Sequence, residues 1–126
     1  MRIVFADDHD TVRKGVRAIL TDSFEDLVID EAKNGKEAVD LALANRPDLV
    51  ILDINMPVLD GFDAARRLLR VLSGVPILFF TMHSGSNFVS EARKIGVQGF
   101  VTKDRAGETL VEATKALLRK QTYFPV

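Results

Sequence analysis

Residues 47–54 read PDLVILDI, in which four consecutive apolar residues, Leu49–Leu52, lie between Pro47-Asp48 and Asp53. An apolar run of this length, bounded by a proline, is typical of a β-strand that is buried on both faces. Residues 75–80, VPILFF, have the same character and end in Thr81. Because strands covered on both faces occur in parallel sheets flanked by helices, these two runs predict an α/β fold.

Strand-like and helix-like patterns alternate along the rest of the chain. Three further strands are predicted at Arg2–Ala6, Leu27–Ile29 and Phe100–Thr102. Apolar residues recur at helical spacing after Asp8, in 36–45, after Asp60-Gly61, before Gly96 and from about Asp104 to Lys120. Five repeats of strand then helix, joined by right-handed crossovers, predict a doubly wound parallel sheet with helices on both faces.

Turn and capping residues predict where the helices begin and end. Asn34 and Asp60 precede helical patterns and carry side chains suited to N-caps. Pro47 stops the second helix, and glycines at positions 74 and 96 close the third and fourth.

Composition limits the classes of function. The 126 residues match the usual size of one domain, and 47% are hydrophobic, enough for a core. A net charge of −1 shows no basic excess, so we expect no direct nucleic-acid binding. The chain has no cysteine, which excludes disulfides and thiolate zinc sites and fits a cytoplasmic protein. The uncharged stretch 71–90 is interrupted by Pro76 and polar residues, so we predict no membrane span.

Polar residues follow four of the predicted strands, namely Asp7-Asp8, Asp53, Thr81 and Lys103. The carboxyl ends of parallel strands meet at one edge of a sheet, where ligands bind in open α/β folds. Two like charges about 4 Å apart repel by about 4 kcal/mol at an effective dielectric near 20, so three clustered carboxylates favour a bound cation. With Lys103 offsetting one charge, about two negative charges remain. Oxygen ligands and that charge indicate Mg²⁺.

Mg²⁺ beside a carboxylate suggests phosphoryl transfer, in which Asp53 attacks in line and Lys103 helps to neutralise the phosphoryl oxygens. Each residue alone has an ordinary interpretation. Asp7-Asp8 could form a loop and helix cap, Thr81 could be a strand residue, and Lys103 a solvated charge. Only their joint placement at strand ends is specific.

The segment from Asp48 to Gly61, together with the spacing of Asp7-Asp8, Thr81 and Lys103, resembles the receiver (CheY-like) domain of two-component response regulators. The resemblance implies a flavodoxin-like (βα)5 fold with strand order 2-1-3-4-5. It covers residues 1–120, and residues 121–126 would begin a linker or C-terminal tail.

The resemblance also implies a role for each site residue. Asp53 would be the phosphoacceptor, and Mg²⁺ would be held by Asp8, Asp53, the backbone carbonyl of Asn55 and, through a water, Asp7. Thr81 and Lys103 would each bind a phosphoryl oxygen.

Two further roles concern switching and decay. On phosphorylation, Phe100 would move inward after Thr81 as the aromatic switch. His83 and Asn55 would modulate dephosphorylation, whereas His9 is interpreted as a polar loop residue beside the metal site.

Finer motifs, Asp7-Asp8-His9 with Val12-Arg13 and Thr81-Met82-His83, are similar to the NarL/FixJ subfamily, whose receivers precede a LuxR-type DNA-binding domain. This similarity implies a sensor histidine kinase as phosphodonor and homodimerisation on phosphorylation. Either these residues are the receiver of a longer protein with a transcription-regulating output domain, or they form a single-domain regulator that acts through a protein partner. The protein would be no enzyme beyond its own phosphorylation and dephosphorylation. Tyr123-Phe124-Pro125 resembles the subfamily's approach to its linker.

One departure from the commonest receiver pattern is Asp104, where many receivers have proline after the lysine. We expect a trans bond or a differently shaped loop there, with Asp104 capping the last helix.

Three other functions compete. A phosphorylation-independent interaction module would not need the complete site. A haloacid-dehalogenase-like phosphatase would have a second aspartate where His9 stands, and a flavodoxin-like cofactor site would want a phosphate-binding loop after the first strand.

Overall fold

The computed structural model describes residues 1–125, in which strands and helices alternate along the chain. The strands are β1 (Arg2–Ala6), β2 (Val28–Ala32), β3 (Leu49–Leu52), β4 (Ile77–Thr81) and β5 (Gly99–Thr102). The helices are α1 (Asp10–Ser23), α2 (Gly35–Asn45), α3 (Gly61–Val71), α4 (Ser86–Ile95) and α5 (Ala106–Leu118), with a 3₁₀ turn at Lys103–Arg105 before α5.

All five strands pair in parallel in the order β2-β1-β3-β4-β5, which confirms the predicted fold and topology. After β1 the chain crosses to β2 on one side of the sheet, whereas after β3 it continues to β4 and β5 on the other side. Ala6 lies opposite Leu52, so Asp7 and Asp53 leave adjacent strands at the same level. This is the position at which open α/β sheets bind ligands.

Side chains that alternate along the strands form two apolar cores, one on each face of the sheet. One core joins the sheet to α2, α3 and α4 and contains Phe79 and Phe100. The other joins it to α1 and α5 and contains Phe5 and Phe80. Burial on both faces explains why β3 and β4 read as unbroken apolar runs.

Most predicted helix boundaries are confirmed by the caps. The side chains of Asn34 and Asp60 accept hydrogen bonds from Glu37 N and Asp63 N, both at 2.8 Å. Gly96 ends α4 in the left-handed conformation, with φ of 99°.

Several boundaries differ from the prediction. Helix α3 ends at Val71 with Leu72 as its C-cap, so Gly74 lies beyond the helix and does not close it. β2 runs on past Ile29 through Asp30 and Glu31 to Ala32, because an edge strand tolerates charged residues that an apolar pattern does not mark. The predicted cap by Asp104 is wrong. Lys103–Arg105 form a 3₁₀ turn, so α5 begins at Ala106 and Arg105 takes the N-cap position without a side-chain bond.

The chain after α5 returns along the outer edge of β5. Tyr123 N donates to Gln98 O at 2.9 Å, and Phe100 N donates to Tyr123 O at 2.8 Å. Among residues 1–125 no peptide bond is cis, so the Lys103–Asp104 bond is trans as expected. Within the same range, no helix combines the length and apolarity that crossing a bilayer requires.

Candidate functional site

Four strand ends bring the predicted site residues to one edge of the sheet. Backbone hydrogen bonds continue just past the strands, from Asp7 N to Ala32 O at 3.1 Å and from Asp53 N to Ala6 O at 3.0 Å. These bonds hold both aspartates in line with their strands. The sheet therefore fixes the positions of these two aspartates, and the loops after the strands carry the other residues of the site.

Asp53 is almost fully buried, with 3% of its surface exposed. Its Oδ1 accepts a hydrogen bond from Ile54 N at 2.8 Å, and its Oδ2 accepts one from Lys103 Nζ at 3.1 Å. Helix α3 begins directly behind it, where a Cβ at Gly61 would lie 2.1 Å from the Asp53 carbonyl oxygen. Glycine at position 61 is thus required for the helix to start against the end of β3.

Lys103 crosses from the end of β5 to the two buried aspartates. Its Nζ lies 2.6 Å from Asp7 Oδ2 as well as 3.1 Å from Asp53 Oδ2. The contact with Asp7 is an ion pair by distance, although its angles fall short of a well-formed hydrogen bond, and Asp7 Oδ2 has no other partner among the described residues. One ammonium therefore serves two carboxylates.

The charges shift two pKa values in this cluster. Burial, and then the negative charge of Asp7, raise the pKa of Asp53, while Lys103 opposes them only in part. Burial by itself would lower the pKa of Lys103, but the contact with Asp7 and the charge of Asp53 outweigh it and raise that pKa. The Lys103 ammonium therefore keeps its charge, while burial and the charge of Asp7 disfavour the ionised form of the Asp53 carboxyl beside it.

The acidic cluster fits a divalent cation. Ligand atoms from Asp7, Asp8, His9 and Asp53 all lie within 4.8 Å of one another. Three carboxylates and the Lys103 ammonium leave two negative charges, and Asp7 Oδ2 lacks a hydrogen-bond donor of good geometry. Oxygen donors with this charge suit Mg²⁺.

His9 lies beside this cluster, with its Nδ1 3.0 Å from Asp7 Oδ1 and 3.1 Å from Asp8 Oδ1. Its side chain is 65% exposed, so it covers the solvent side of the two carboxylates.

The two predicted switch residues are buried next to the site. Thr81 is fully buried at the end of β4, and its Oγ1 accepts a long hydrogen bond from His83 N at 3.4 Å. Phe100 on β5 is 1% exposed and packs edge-to-face on Phe79, with 6.5 Å between the ring centroids. In this structure the Phe100 ring therefore already points into the core.

The two predicted modulating residues contact each other across the top of the site. Asn55 Nδ2 lies 2.7 Å from His83 Nε2, and the His83 ring stacks on Phe88 of α4 at a centroid distance of 4.3 Å. Both contacts hold the imidazole in place over the loop that follows Asp53.

Three features of the site were not identified as such from the sequence. They are the contact of His9 with two carboxylates, the close packing at Gly61, and Arg13, whose Nη1 donates to the Asp7 carbonyl at 2.6 Å. The position of Arg13 one helical turn after His9 was the available signal. From the sequence alone, an arginine at this spacing is usually interpreted as a capping or surface residue.

Comparison with known proteins gives a consistent result. Residues 3–115 match the response regulator receiver domain family. The transcriptional regulatory protein DegU of Brevibacillus brevis is 32% identical over 124 residues, which are 98% of this chain and 52% of DegU. The chain spans about half the length of the curated relatives it matches.

Solved structures give the same result for the fold. A LuxR-family two-component response regulator from Aurantimonas sp. SI85-9A1 superposes with a TM-score of 0.91 and 34% identity, covering 97% of this chain and 87% of that one. The signal receiver domain of NarL from Mycobacterium tuberculosis gives 0.88 and 30%, covering 95% and 97%.

Proposed function

Because the chain belongs to the family of response regulator receiver domains of the NarL/LuxR type, we propose that Asp53 accepts a phosphoryl group in a Mg²⁺-dependent reaction. Response regulator receiver domains are signalling proteins that sensor kinases phosphorylate. The observation that carries the proposal is Lys103 Nζ, which lies 2.6 Å from Asp7 and 3.1 Å from Asp53 within the cluster of metal-binding oxygens. The Lys103 ammonium and the Asp53 carboxylate are therefore held side by side in this cluster.

Asp53 acts as the nucleophile. One carboxylate oxygen forms the new O–P bond while the bond between phosphorus and the donor breaks. With a phosphohistidine donor the P–N bond breaks, its electron pair stays on the imidazole nitrogen, and that nitrogen takes up a proton from water. No general base is needed, because the nucleophile reacts as the carboxylate.

Neighbouring residues bind the transferred group. Lys103 exchanges a carboxylate partner for a phosphoryl oxygen, and the Thr81 hydroxyl donates to another oxygen. Asp8, Asp53, the Asn55 carbonyl and, through a water, Asp7 would hold Mg²⁺, which would supply positive charge to the phosphoryl oxygens. Movement of Thr81 leaves space beside the Phe100 ring, which is already buried in this structure, and repacking of that ring changes the face formed by α4, β5 and α5.

The product is an aspartyl phosphate, which water hydrolyses at the phosphorus to regenerate Asp53. In this proposal the chain catalyses only its own phosphorylation from a phosphodonor and its own dephosphorylation by water. Residues 1–120 form the receiver, and residues 121–126 begin a linker or a C-terminal tail. The partners in this proposal are a sensor histidine kinase as donor, a second phosphorylated copy, and a LuxR-type DNA-binding domain that regulates transcription in the cytoplasm.

Intact mass after incubation with acetyl phosphate and Mg²⁺ tests the reaction. We expect one added phosphoryl group in the wild type and in Asp104→Asn, whose aspartate is exposed and outside the cluster. Asp53→Asn and a sample with EDTA should show none. No adduct in the wild type, or one that persists in Asp53→Asn, would contradict the proposal and favour a phosphorylation-independent interaction module.

A further inference from the structure

A buried arginine on α1 contacts the backbone of the acidic cluster. The Arg13 side chain is only 7% exposed, although it carries a full charge. Burying a charge is costly unless it is paired and hydrogen-bonded, so a buried arginine on a first helix needs a reason. Arg13 makes its contacts to three different parts of the fold.

Each nitrogen of the Arg13 guanidinium has its own partner. Nη1 donates to the backbone carbonyl of Asp7 at 2.6 Å, and Nη2 donates to Asp10 Oδ1 at 2.7 Å. Nε lies 3.3 Å from Glu31 Oε1, at the end of β2. Arg13 therefore links the end of β1 to α1 and to β2.

The contact with Asp7 completes the restraint of that residue. Its N–H, which belongs to the Ala6–Asp7 peptide, already donates to Ala32 O at 3.1 Å, and Arg13 binds the carbonyl of the next peptide, Asp7–Asp8, so the peptides on both sides of the Asp7 Cα are restrained. Asp8 is the next residue, and its carboxylate belongs to the metal-binding cluster. The direction in which Asp8 leaves the sheet depends on the peptide that Arg13 binds.

We propose that Arg13 is a positioning residue for the divalent-cation site, which sets the Asp7–Asp8 peptide so that both carboxylates face Asp53. This inference rests on the proposed function, because it concerns the same Mg²⁺ site. Groups that orient metal ligands without touching the metal typically account for 10–100-fold in metal affinity. A lysine cannot replace the arginine, since one ammonium does not reproduce a planar fork with three separate partners.

Charge and position predict opposite results for Arg13. If the guanidinium acted only through its charge, its removal would make the acidic cluster more negative and would tighten Mg²⁺ binding. If it acts by holding the Asp7 carbonyl, its removal weakens binding.

Arg17 provides the matched control. It lies one helical turn further along α1 and pairs with the same Glu31, and it donates to the Ile29 carbonyl at 3.2 Å.

The experiment is a Mg²⁺ titration of the full chain in the absence of a phosphodonor. Binding is measured from the NMR chemical shifts of the backbone amides. We expect the Kd for Mg²⁺ to rise about tenfold or more in Arg13→Gln and to rise also in Arg13→Lys, which keeps the charge. Arg17→Gln should stay within twofold of the wild type. The His9 N–H donates to Asp7 Oδ1 at 2.9 Å. Without metal, its hydrogen exchange should be faster in both Arg13 variants than in the wild type and should be unchanged in Arg17→Gln.

A Kd in both Arg13 variants equal to or tighter than that of Arg17→Gln would overturn the inference. If Arg13→Gln fails to fold, Arg13→Lys and the His9 exchange rate decide the question. Failure of the proposed function is distinguishable, because it would appear as a missing phosphoryl adduct in the wild type. The Mg²⁺ titration uses no phosphodonor and is read separately.

Discussion

The Asp53 side chain shows how one buried charge relates stability to function. Burial and Asp7 raise its pKa, so the folded chain binds the Asp53 proton more tightly than the unfolded chain does. Ionised Asp53 therefore lowers the free energy of unfolding at neutral pH. The loss disappears as the pH falls through the folded pKa toward the ordinary value of 3.8. The residue proposed as nucleophile therefore lowers the stability of the fold.

Replacing Asp53 by asparagine should raise the urea midpoint of unfolding at pH 7 in the absence of Mg²⁺. The gain should shrink at pH values near 4, where the wild-type carboxyl binds its proton. Asp104→Asn, at an exposed position, serves as the control and should change little at either pH. A lower midpoint for Asp53→Asn at pH 7 would mean that the pairing with Lys103 outweighs burial.

His83 should control the lifetime of the phosphorylated state. Asn55 at 2.7 Å and the stacked Phe88 ring hold the imidazole in place. We expect the imidazole to restrict the approach of water to the phosphoryl group. We expect His83→Ala to speed the decay of phospho-Asp53 several-fold and to leave the rate of phosphorylation by acetyl phosphate unchanged. Decay is followed by intact mass after removal of the donor. Met82→Ala, in the same loop and 73% exposed, should decay like the wild type, and equal decay in both variants would contradict the assignment.

Among the elements, β5 is unusual because its outer edge is covered by the chain's own later residues. An uncovered edge strand leaves N–H and C=O groups free to pair with other chains. Here Tyr123 pairs with Gln98 and Phe100 through its backbone, and its hydroxyl donates to Glu112 of α5 at 3.2 Å. The Arg93 guanidinium of α4 lies 4.0 Å from the centre of the Phe124 ring. Residues 121–125 thus join α4, β5 and α5.

Removal of residues 121–126 should accelerate hydrogen exchange of the Phe100 amide, because its acceptor is Tyr123 O. We expect an increase of about a hundredfold, while amides in the centre of β1 keep their exchange rates. Tyr123→Phe loses only the bond to Glu112 and should retain the slow exchange at Phe100. Slow exchange of Phe100 in the shortened chain would show that another group covers this edge.

Across the whole molecule, the carboxylate cluster proposed to bind Mg²⁺ forms only when the chain is folded. Asp7 and Asp8 follow β1, Asp53 follows β3, and the sheet brings them together across more than forty residues of sequence. A ligand that binds only the folded chain stabilises it in proportion to the logarithm of its concentration. Mg²⁺ should therefore stabilise this fold as well as support its chemistry.

Each tenfold increase in free Mg²⁺ above its Kd should raise the free energy of unfolding by about 1.4 kcal/mol. The measurement is urea unfolding at several MgCl₂ concentrations and constant ionic strength. Asp8→Asn, which removes one carboxylate of the cluster, should lose most of the increment. An equal increment in the variant would identify a general salt effect.

Local patterns in the sequence were sufficient for much of this molecule. The apolar runs predicted β1 and β3 to the residue, Asn34 and Asp60 begin helices as expected, and Gly96 ends one. Strand order then followed from the family resemblance, and the convergence of four strand ends followed from parallel pairing. These features are predictable because periodicity and capping involve residues within a few positions of one another.

Other features depend on contacts between distant residues, which no local pattern contains. The polar half of β2 is held by pairing with β1, and the contact of His83 with Asn55 spans 28 positions. Arg13 could be recognised as more than a surface charge only when its burial and its bond to the Asp7 carbonyl were seen. The amino-acid sequence alone determined that acidic, hydroxyl and ammonium side chains follow the strands and meet at one edge of the sheet. The three-dimensional structure was needed to decide which of these charges are buried and which groups bind them, because burial and distance arise only in the folded chain.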